Sequence, residues 1–437
     1  MPDHATSTSP AVQAQLDRLT LLSPGADVLG LDRITTLLAR LGDPHRALPP
    51  VFHVAGTNGK GSTCAFLRAA IEAAGHDVHV HSSPHLVRFN ERIRVAGRLI
   101  DDNTLAALLA EVLDVADDVG ASFFEVTTAA AFLAFARTPA AACIVEVGLG
   151  GRLDATNVIE APAVCGIAAL GMDHEAFLGT DLTVIAAEKA GIAKPGAPLV
   201  TMDYPAALQD RIVAVAAAAG APLMMRGRDW HSDLANDELR YEQPGVALVT
   251  PGPRLVGAHQ AHNLALAIAM LRHQQAVAVP DGAIRDAART ATWPARMQRL
   301  GSGPLADRLR GGELWLDGAH NPSAALPVAR ALAAVASGRP VALVIGLLAN
   351  KDATGVLAAL APAVAHVVAV PVDGHPHHAP EALAATAEAL GLSAGSAPTL
   401  SAALSQIADR DEGEVVLIAG SLYLAGQALA SNDEPPS

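Results

Sequence analysis

Hydrophobic positions along the chain form short continuous runs that alternate with longer stretches of helical period. Residues 51–55 and 142–147 are mainly apolar runs of strand length. Residues 63–74 carry apolar side chains at helical spacing and are followed by Gly75, a residue that commonly ends a helix. Short apolar runs bounded by turn residues are typical of strands buried on both faces. The alternation therefore predicts a parallel sheet with helices on both faces.

The same pattern extends along the whole chain. It predicts further helices at residues 28–41, 105–119, 126–137, 183–193 and 262–274, and further strands at residues 77–81, 163–169, 198–202, 313–316, 341–345, 364–370 and 414–418. The more polar residues 229–250 favour an antiparallel excursion. Both ends of the chain, residues 1–10 and 432–437, are predicted to be frayed tails.

Chain length and one loop indicate how these elements are divided. The chain has 437 residues, which at ~150 residues per domain corresponds to about two or three domains. A second series of alternating strands and helices starts after the loop at residues 293–296. We therefore expect an N-terminal α/β domain over residues 1–293 and a smaller, Rossmann-like α/β domain over residues 294–437.

Composition narrows the classes of function. Lys and Arg number 30 and Asp and Glu number 44, which gives a formal net charge of −14, whereas a general nucleic-acid binder would be basic. The three cysteines are far apart in the sequence, which argues against a disulfide framework and fits a reducing, cytoplasmic location. The negative net charge argues against nucleic acid as a partner. No apolar run is long enough to span a bilayer, so we do not expect a membrane as a partner either.

A glycine-rich loop with a lysine lies between the first predicted strand and the helix after it. Residues 56–62 read GTNGKGS. Glycines let backbone N–H groups approach phosphate oxygens, and the helix N-terminus favours negative charge. The loop predicts a nucleotide-phosphate site, with Lys60 as a catalytic cation and an ordinary strand–turn–helix as the alternative. Its predicted contacts are Asn58, Gly59, Lys60, Gly61 and Ser62.

This loop and further segments resemble the folylpolyglutamate synthase and dihydrofolate synthase family of the Mur ligase superfamily. The loop lies within residues 53–62, HVAGTNGKGS. Matching segments follow in the family's order: 82–93 (SSPHLVRFNERI), 124–128 (FEVTT), 148–157 (GLGGRLDATN), 173–174 (DH), 188–192 (EKAGI), 259–263 (HQAHN), 294–296 (PAR), 316–322 (LDGAHNP) and 420–424 (GSLYL). Each segment is weak alone, but their order is specific and spans nearly the whole chain.

The resemblance implies a fold and an activity. The implied fold is an N-terminal P-loop ATPase domain with a parallel sheet flanked by helices, followed by the smaller Rossmann-like domain. The implied enzyme is a monomer that uses ATP to join L-glutamate to dihydropteroate, to reduced folates or to both, through an acyl phosphate. Two alternatives stay open. One is another Mur-superfamily amide ligase acting on a cell-wall peptide precursor, and the other is a nucleotide-gated ATPase without ligase activity.

Four residues are predicted to hold divalent metal. Glu146 ends a buried strand, at the sheet edge where parallel sheets bind ligands, and a carboxylate there suits Mg²⁺. The resemblance adds Ser83 and His174 as ligands and implies two Mg²⁺ ions. It also implies that Lys189 has a catalytic role as a CO₂-carbamylated, anionic metal ligand, because burial supplies the neutral amine that carbamylation needs. A solvent-facing lysine paired with a carboxylate is the alternative at Lys189.

Nucleotide and glutamate contacts are also expected outside the loop. The resemblance implies that Asn263, Arg296 and Asp317 contact ATP. It places His320 near the reacting groups, as a further catalytic candidate. Ser421, in a loop after a predicted strand, is the candidate contact for glutamate, and a plain turn residue is the alternative there.

Three segments match regions that bind the pterin substrate in the family. Aromatic residues are only 3% of the chain, so Phe124 stands out as a flat face for a heteroaromatic ring, with plain core packing as the alternative. The chain departs from the family pattern at Ala295, where glycine is usual before the arginine. The candidate pterin contacts are Leu29, Gly30, Leu31, Asp32, Phe123, Phe124, Leu153, Asp154 and Ala155.

Overall fold

The chain is divided between two units that each contain a parallel-rich sheet. The computed structural model describes residues 5–22, 29–173, 175–309, 311–410 and 414–437. The first unit comprises Met1–His85, Phe89–Arg254 and Gln260–Thr292. The second comprises Leu86–Arg88, Leu255–His259 and Trp293–Ser437. The chain therefore passes between the units more than once.

The sheet of the first unit is centred on the strand that precedes the glycine-rich loop. Its strands are β1 (Val51–Ala55), β2 (Val78–His81), β3 (Ile93–Val95), β4 (Arg98–Leu99), β5 (Ala142–Glu146), β6 (Val164–Ile167), β7 (Leu199–Thr201) and β8 (Leu223–Met225). Their order within the described residues is β4-β3-β2-β5-β1-β6-β7-β8. The pairings are parallel, except that β3 is antiparallel to both of its neighbours, β2 and β4. Val54 pairs with Glu146 on one side and Gly166 on the other, so the loops after β5, β1 and β6 meet at one edge.

Helices cover the sheet of the first unit. They are α1 (Pro10–Leu22), α2 (Asp32–Arg40), α3 (Lys60–Ala73), α4 (Asp102–Asp114), α5 (Phe123–Arg137), α6 (Glu175–Leu178), α7 (Leu182–Ala190), α8 (Ala206–Ala219), α9 (Ala258–His273) and α10 (Asp281–Thr290). The start of α5 is fixed by a capping box, in which Ser122 and Glu125 each bind the other's backbone N–H. A short 3-10 helix, Ala155–Val158, follows the loop after β5.

The polar stretch in the middle of the chain forms a separate antiparallel sheet. Its strands are β9 (His231–Ala235), β10 (Glu238–Gln243) and β11 (Val246–Pro251), in the order β11-β10-β9. Asn236 and Asp237 connect the first two with φ of 53° and 58°, the left-handed backbone that a tight hairpin turn requires. The predicted antiparallel excursion is confirmed.

The second unit carries a six-stranded sheet in its described residues. Its strands are β12 (Gln298–Arg299), β13 (Glu313–Leu316), β14 (Val341–Ile345), β15 (His366–Ala369), β16 (Ser393–Ser396) and β17 (Val415–Ala419), and its helices are α11 (Pro322–Ala336), α12 (Ala353–Leu360), α13 (Pro380–Ala389), α14 (Leu400–Ala408) and α15 (Leu422–Ser431). The order is β12-β13-β17-β14-β15-β16, parallel except for β12. Because β17 lies between β13 and β14, the loops that follow these three strands are neighbours.

The predicted α/β class is confirmed, and the predicted C-terminal tail needs correction. In α1, Val12, Leu16 and Leu19 are fully buried, so ordered structure begins by Pro10. At the other end, Asn432 is buried and its side-chain oxygen accepts hydrogen bonds from two backbone N–H groups near residue 305. Within the described ranges, no helix is both long and apolar enough to cross a membrane.

Candidate active site

In the loop after β1, backbone carbonyl groups bind the side chain of a lysine. Gly59 has φ of 85°, and a Cβ there would overlap the side-chain oxygen of Asn263, so the loop needs glycine at this position. Lys60 Nζ donates to the carbonyl oxygens of Gly56 and Thr57 at 3.1 and 3.3 Å. The loop therefore brings Lys60 and Asn263, both predicted nucleotide contacts, to one place.

A serine on the first turn of α3 has an unused hydroxyl. Ser62 is buried, and its Oγ has no hydrogen-bond partner among the described residues. The next residue behaves differently, because Thr63 Oγ1 donates to the Gly59 carbonyl at 2.9 Å. Leaving a buried polar group unsatisfied costs about 1–3 kcal/mol, so this position favours a ligand that engages the Ser62 hydroxyl.

Lys189 is buried and shares a hydrogen-bond acceptor with Lys60. Its side chain is 5% exposed, and Nζ donates to the Gly56 carbonyl at 3.1 Å. Burial, and then the charge of Lys60, lower the pKa of Lys189 to about 7, against an opposing effect of Asp173 and Asp154. About half of such a lysine is a neutral amine at pH 7. The alternative of a solvent-facing lysine is wrong.

Two of the predicted metal ligands are neighbours at the edge of the sheet. Glu146, at the end of β5, is 5% exposed, and its Oε2 accepts from the backbone N–H of Ser83 at 3.4 Å. The Ser83–Pro84 peptide bond is cis. Glu146 also raises the pKa of the Cys64 thiol on α3, after the larger effect of burial. His174 lies outside the described residues.

An ion pair brings two of the predicted pterin segments together. Arg33 Nε binds Glu125 Oε2 at 3.0 Å, and the Glu125 side chain is only 4% exposed. Arg33 lies on the first turn of α2, directly after residues 29–32, and Glu125 lies on the first turn of α5, directly after Phe123 and Phe124. The pair therefore fixes the starts of both helices against each other.

The Phe124 ring packs against the backbone of the loop after β5. A Cβ on Gly148 would lie 2.5 Å from Phe124 Cζ, so the ring needs glycine at that position. The ring centroid is 5.8 Å from that of His81 on β2. Phe124 is only partly buried, unlike Phe123, which is 5% exposed. Phe124 is therefore the more accessible of the two predicted aromatic contacts.

The carboxylate of Asp154 is occupied by its own loop. Oδ1 accepts from the Thr156 backbone N–H at 3.0 Å and from the Thr156 hydroxyl, and Oδ2 accepts from Leu149 N–H at 2.8 Å. His53 Nε2 lies 2.8 Å from the Thr156 Oγ1. Burial raises the pKa of Asp154 and lowers that of His53 to about 3, so His53 is neutral. Asp154 therefore organises the loop through a buried polar chain.

Next to this loop the first unit contains a cavity of about 350 Å³. Leu29 and Leu153, both predicted pterin contacts, line it. Sequence reasoning missed the other lining residues, although two of them stand inside segments 148–157 and 188–192 that match the family. The missed residues are Arg152, Phe177, Leu178, Val184 and Glu188.

In the second unit, a buried carboxylate holds the turn that carries Arg296. Asp317 is 3% exposed; Oδ2 accepts from Met297 N–H and Oδ1 from Ala319 N–H, each at 2.8 Å. Ala295 and Met297 have left-handed backbones, with φ of 54° and 41°. Burial raises the pKa of Asp317, and the positive charge of Arg296 opposes this. A left-handed residue 295 explains why glycine suits that position.

His320 and Ser421 follow neighbouring strands of the same sheet. The Gly318 carbonyl lies 2.8 Å from His320 Nδ1, so Nδ1 carries the proton in this contact. Ser421 is 2% exposed, and its Oγ accepts from Tyr423 N–H at 3.1 Å as the N-cap of α15. The observed role of Ser421 is thus that of a helix cap, and its contact with glutamate stays a prediction.

Comparison with known proteins places the chain in a family. Residues 295–422 match the model of the "Mur ligase, glutamate ligase domain". The dihydrofolate synthase/folylpolyglutamate synthase of Escherichia coli is 34% identical over 407 residues, which cover 92% of this chain and 90% of that protein. The chain belongs to the dihydrofolate synthase/folylpolyglutamate synthase family.

Solved structures of this family match nearly the whole chain. Escherichia coli FolC in complex with DHPP and ADP has a TM-score of 0.88 and 33% identity, covering 98% of this chain and 99% of that chain. A bifunctional folylpolyglutamate synthase/dihydrofolate synthase with Mn, AMPPNP and L-glutamate bound has a TM-score of 0.85 and 33% identity, covering 97% of this chain and 98% of that chain. The resemblance stated from the sequence is confirmed.

Proposed function

We propose that this dihydrofolate synthase/folylpolyglutamate synthase family member is an ATP-dependent ligase that joins L-glutamate to the carboxyl group of dihydropteroate and of reduced folates. One observation carries the proposal: nearly the whole chain matches relatives of that name, one of them solved with DHPP and ADP. The match argues against a cell-wall peptide ligase and against an ATPase without ligase activity. We assign nucleotide and pterin binding to residues 1–293 and glutamate ligation to residues 294–437.

The residues of the phosphate loop and of the Arg296 turn suit phosphoryl transfer. We infer that Lys60 leaves the Gly56 and Thr57 carbonyls and binds the β- and γ-phosphates, beside Asn263. Arg296 offers a guanidinium that can neutralise charge on the transferred phosphoryl group. Asp317 would act by holding the Arg296 turn, and His320 by contact with the reacting groups.

Oxygen donors in the first unit suit Mg²⁺. The Ser62 hydroxyl is buried and unpartnered within the described residues, and the Glu146 carboxylate lies at the same sheet edge with Ser83. In the part of the chain that the structure describes, no three His, Cys, Asp or Glu side chains cluster to hold a metal, which fits an ion that keeps waters and phosphate oxygens as ligands. Mg²⁺ held there would neutralise phosphate charge. We propose that the site holds two Mg²⁺ ions, with His174 and Lys189 as further ligands.

We infer that Lys189 carries a carbamate. Its neutral amine attacks the carbon of CO₂, a C–N bond forms, and one proton is released to solvent. The lowered pKa supplies the neutral amine, and burial protects the product. A carbamate also reverses the sign of the Lys189 charge, which removes its repulsion with Lys60 and provides an anionic metal ligand.

The ligation proceeds in two substitutions. A carboxylate oxygen of the pterin substrate attacks the γ-phosphorus, and the bond from that phosphorus to the β–γ bridging oxygen breaks, which releases ADP and leaves an acyl phosphate. The amine of L-glutamate then attacks the acyl carbon, phosphate leaves with the C–O bond electrons, and the amine loses a proton. An amide, ADP and phosphate result.

We also propose that the enzyme is a cytoplasmic monomer with small-molecule partners only. The three cysteines Cys64, Cys143 and Cys165 are free and buried, as expected for a protein of a reducing compartment.

The test is a substrate panel with purified full-length protein, ATP and Mg²⁺. ADP release and the mass of the product are measured with dihydropteroate or tetrahydrofolate, each with and without L-glutamate. We expect ADP and amide in equal amounts, only when glutamate is present. ADP release that does not depend on glutamate with either acceptor would overturn the proposal. Intact mass under CO₂ shows whether Lys189 gains a carbamate, and an unmodified Lys189→Met variant is the matched control.

A further inference from the structure

Two arginines and one glutamate of the first unit form a cluster around the turn between β3 and β4. Arg68 and Glu72 lie on α3, and Arg94 lies on β3. Arg68 Nε is 3.7 Å from Glu72 Oε2. A Cβ on Gly97, in the turn, would lie 3.4 Å from Glu72 Oε1, and Arg94 Nη1 donates to the Gly97 carbonyl oxygen at 2.9 Å. We call these three side chains the Arg68–Glu72–Arg94 cluster.

The cluster is separate from the phosphate loop. Arg68 lies about 12 Å along the helix axis from Lys60, the first residue of α3, at 1.5 Å per residue. Gly97 N–H donates to the carbonyl oxygen of Val78, the first residue of β2, at 2.9 Å. Because β2, β5 and β1 are parallel, the turn lies at the edge of the sheet opposite the phosphate loop.

The guanidinium group of Arg68 has hydrogen-bond donors that the cluster does not use. Nε is enclosed and has no hydrogen-bond partner, and neither Nη1 nor Nη2 donates to the residues that the structure describes. The 3.7 Å contact with Glu72 is longer than a hydrogen bond. The Arg68 side chain is only 18% exposed. Because a buried donor without an acceptor is destabilising, this position favours a ligand that accepts hydrogen bonds.

Charge in the cluster is unbalanced. Two guanidinium groups share one carboxylate, that of Glu72, whose side chain is 37% exposed. Burial, and then the charge of Arg68, lower the pKa of Arg94 to about 10, and Glu72 opposes this effect. Each arginine therefore disfavours the charge of the other. An anion held by both would remove that repulsion.

A small tetrahedral oxyanion suits these donors. The planar guanidinium fork binds two oxygens of a phosphate group at once, and the remaining phosphate oxygens can accept from a second arginine. The low exposure of Arg68 favours a small anion over a large one.

We propose that the Arg68–Glu72–Arg94 cluster is a second anion site, which binds inorganic phosphate through Arg68 and Arg94 and so ties α3 to the β3–β4 hairpin. This inference goes beyond the proposed function, because it uses none of the residues assigned to the ligase. Its consequence is a gain in stability when phosphate binds.

The test follows thermal unfolding of the full chain in phosphate and in chloride, at equal ionic strength and neutral pH. Phosphate also stabilises proteins in general, because it is excluded from their surfaces, so the comparison with Arg68→Met is decisive. We expect about 10 mM phosphate to raise the Tm of the wild type by at least about 1 °C more than the Tm of Arg68→Met.

Three variants serve as controls. Phosphate can also bind the loop at residues 56–62, so the measurement is repeated in Lys60→Met, which should keep the gain. Arg289→Met removes an arginine of another ion pair, with Asp286 at 3.7 Å on α10, and should also keep the gain. Arg94→Met should lose most of the gain, and Arg94→Lys should restore part of it.

Three results would overturn this inference. The first is a gain that Arg68→Met keeps in full, and the second is a gain that Lys60→Met loses. The third is an equal gain from acetate in the wild type, because a single carboxylate would then serve as well as phosphate. A merely structural Arg68–Glu72 ion pair predicts that Arg68→Met loses the same stability with and without phosphate. None of these results bears on the ligase function, which depends on glutamate-dependent ADP release.

Discussion

Replacing Asp317 by asparagine tests whether this residue holds the Arg296 turn or contacts ATP directly. The carboxylate accepts from the backbone N–H groups of Met297 and Ala319, each at 2.8 Å, from a position that is 3% exposed. Asparagine has a single acceptor oxygen. In Asp317→Asn one of the two N–H groups must therefore face an NH₂ group, and the turn loses one of its two anchors.

Two opposing contributions determine how much Asp317→Asn lowers the free energy of unfolding. Losing a hydrogen bond to a charged acceptor costs about 1.5–3 kcal/mol. Burial raises the pKa of Asp317, so the ionised form is already disfavoured, and a neutral amide recovers part of that cost. We expect a net loss of about 1–2 kcal/mol in the free energy of unfolding. The left-handed backbones of Ala295 and Met297 add strain of about 1 kcal/mol each, which drives the released turn to rearrange.

Urea unfolding and steady-state kinetics measure the two consequences. A rearranged turn misplaces Arg296, so kcat should fall by about tenfold or more; complete loss of a charge-stabilising donor typically costs about 10²–10³ in kcat. Asp352→Asn is the matched control. Asp352 Oδ1 caps α12 by accepting from Gly355 N–H at 2.9 Å, and asparagine caps helices as well as aspartate does.

Two results would refute this reasoning. If Asp317→Asn is as stable and as active as Asp352→Asn, the carboxylate does not hold the turn. If stability is unchanged but KM for ATP alone rises, Asp317 is a nucleotide contact, as the sequence predicts, and not an anchor of the turn.

Three further predictions address packing and charge. In Gly426→Ala, a Cβ on α15 would lie 2.6 Å from the carbonyl carbon of Leu86, so we expect a loss of at least about 3 kcal/mol in urea unfolding, and wild-type stability would contradict the contact. Gly148→Ala should displace the Phe124 ring and raise KM for dihydropteroate with KM for ATP unchanged; a variant that also carries Phe124→Leu should regain stability, and failure to do so would argue against the clash. In CO₂-free buffer, where Lys189 is an unmodified amine, its folded-state pKa is about 7, below its ordinary value of 10.5. The unfolded chain therefore binds more protons between these two values, and the free energy of unfolding should rise with pH from 7 to 10.5. Unfolding measured at both ends of that range should show a smaller rise in Lys189→Met, and an equal rise would contradict the lowered pKa.

Buried strands and the phosphate loop are predictable because they depend on local sequence. Val51–Ala55, Glu313–Leu316 and Val341–Ile345 have the predicted bounds, since a strand covered on both faces is a continuous apolar run. Loops of this kind bind phosphate through their backbone, so glycines and one lysine at residues 56–62 suffice to predict one from the sequence.

Other features depend on contacts between distant segments. Arg152 and Glu188 are 36 residues apart, and the ion pair that lines the cavity exists only once α7 packs beside the loop after β5. The role of Asp154 also follows from tertiary structure, because Thr156 and His53 complete the chain that occupies its carboxylate. Burial of Lys189 was a hypothesis until the fold placed it, since a lysine on a helix gives no local sign of its surroundings.

The division of the chain between its units has a consequence for any attempt to dissect the protein. The second unit takes Leu86–Arg88 and Leu255–His259 in addition to Trp293–Ser437, and Gly426 of α15 packs on the Leu86 backbone. A fragment that begins at residue 293 would contain the glutamate ligase match at residues 295–422, yet it would leave the surface around Gly426 uncovered. The two units are interleaved along the polypeptide, so a single cut at the boundary would not yield two self-sufficient pieces.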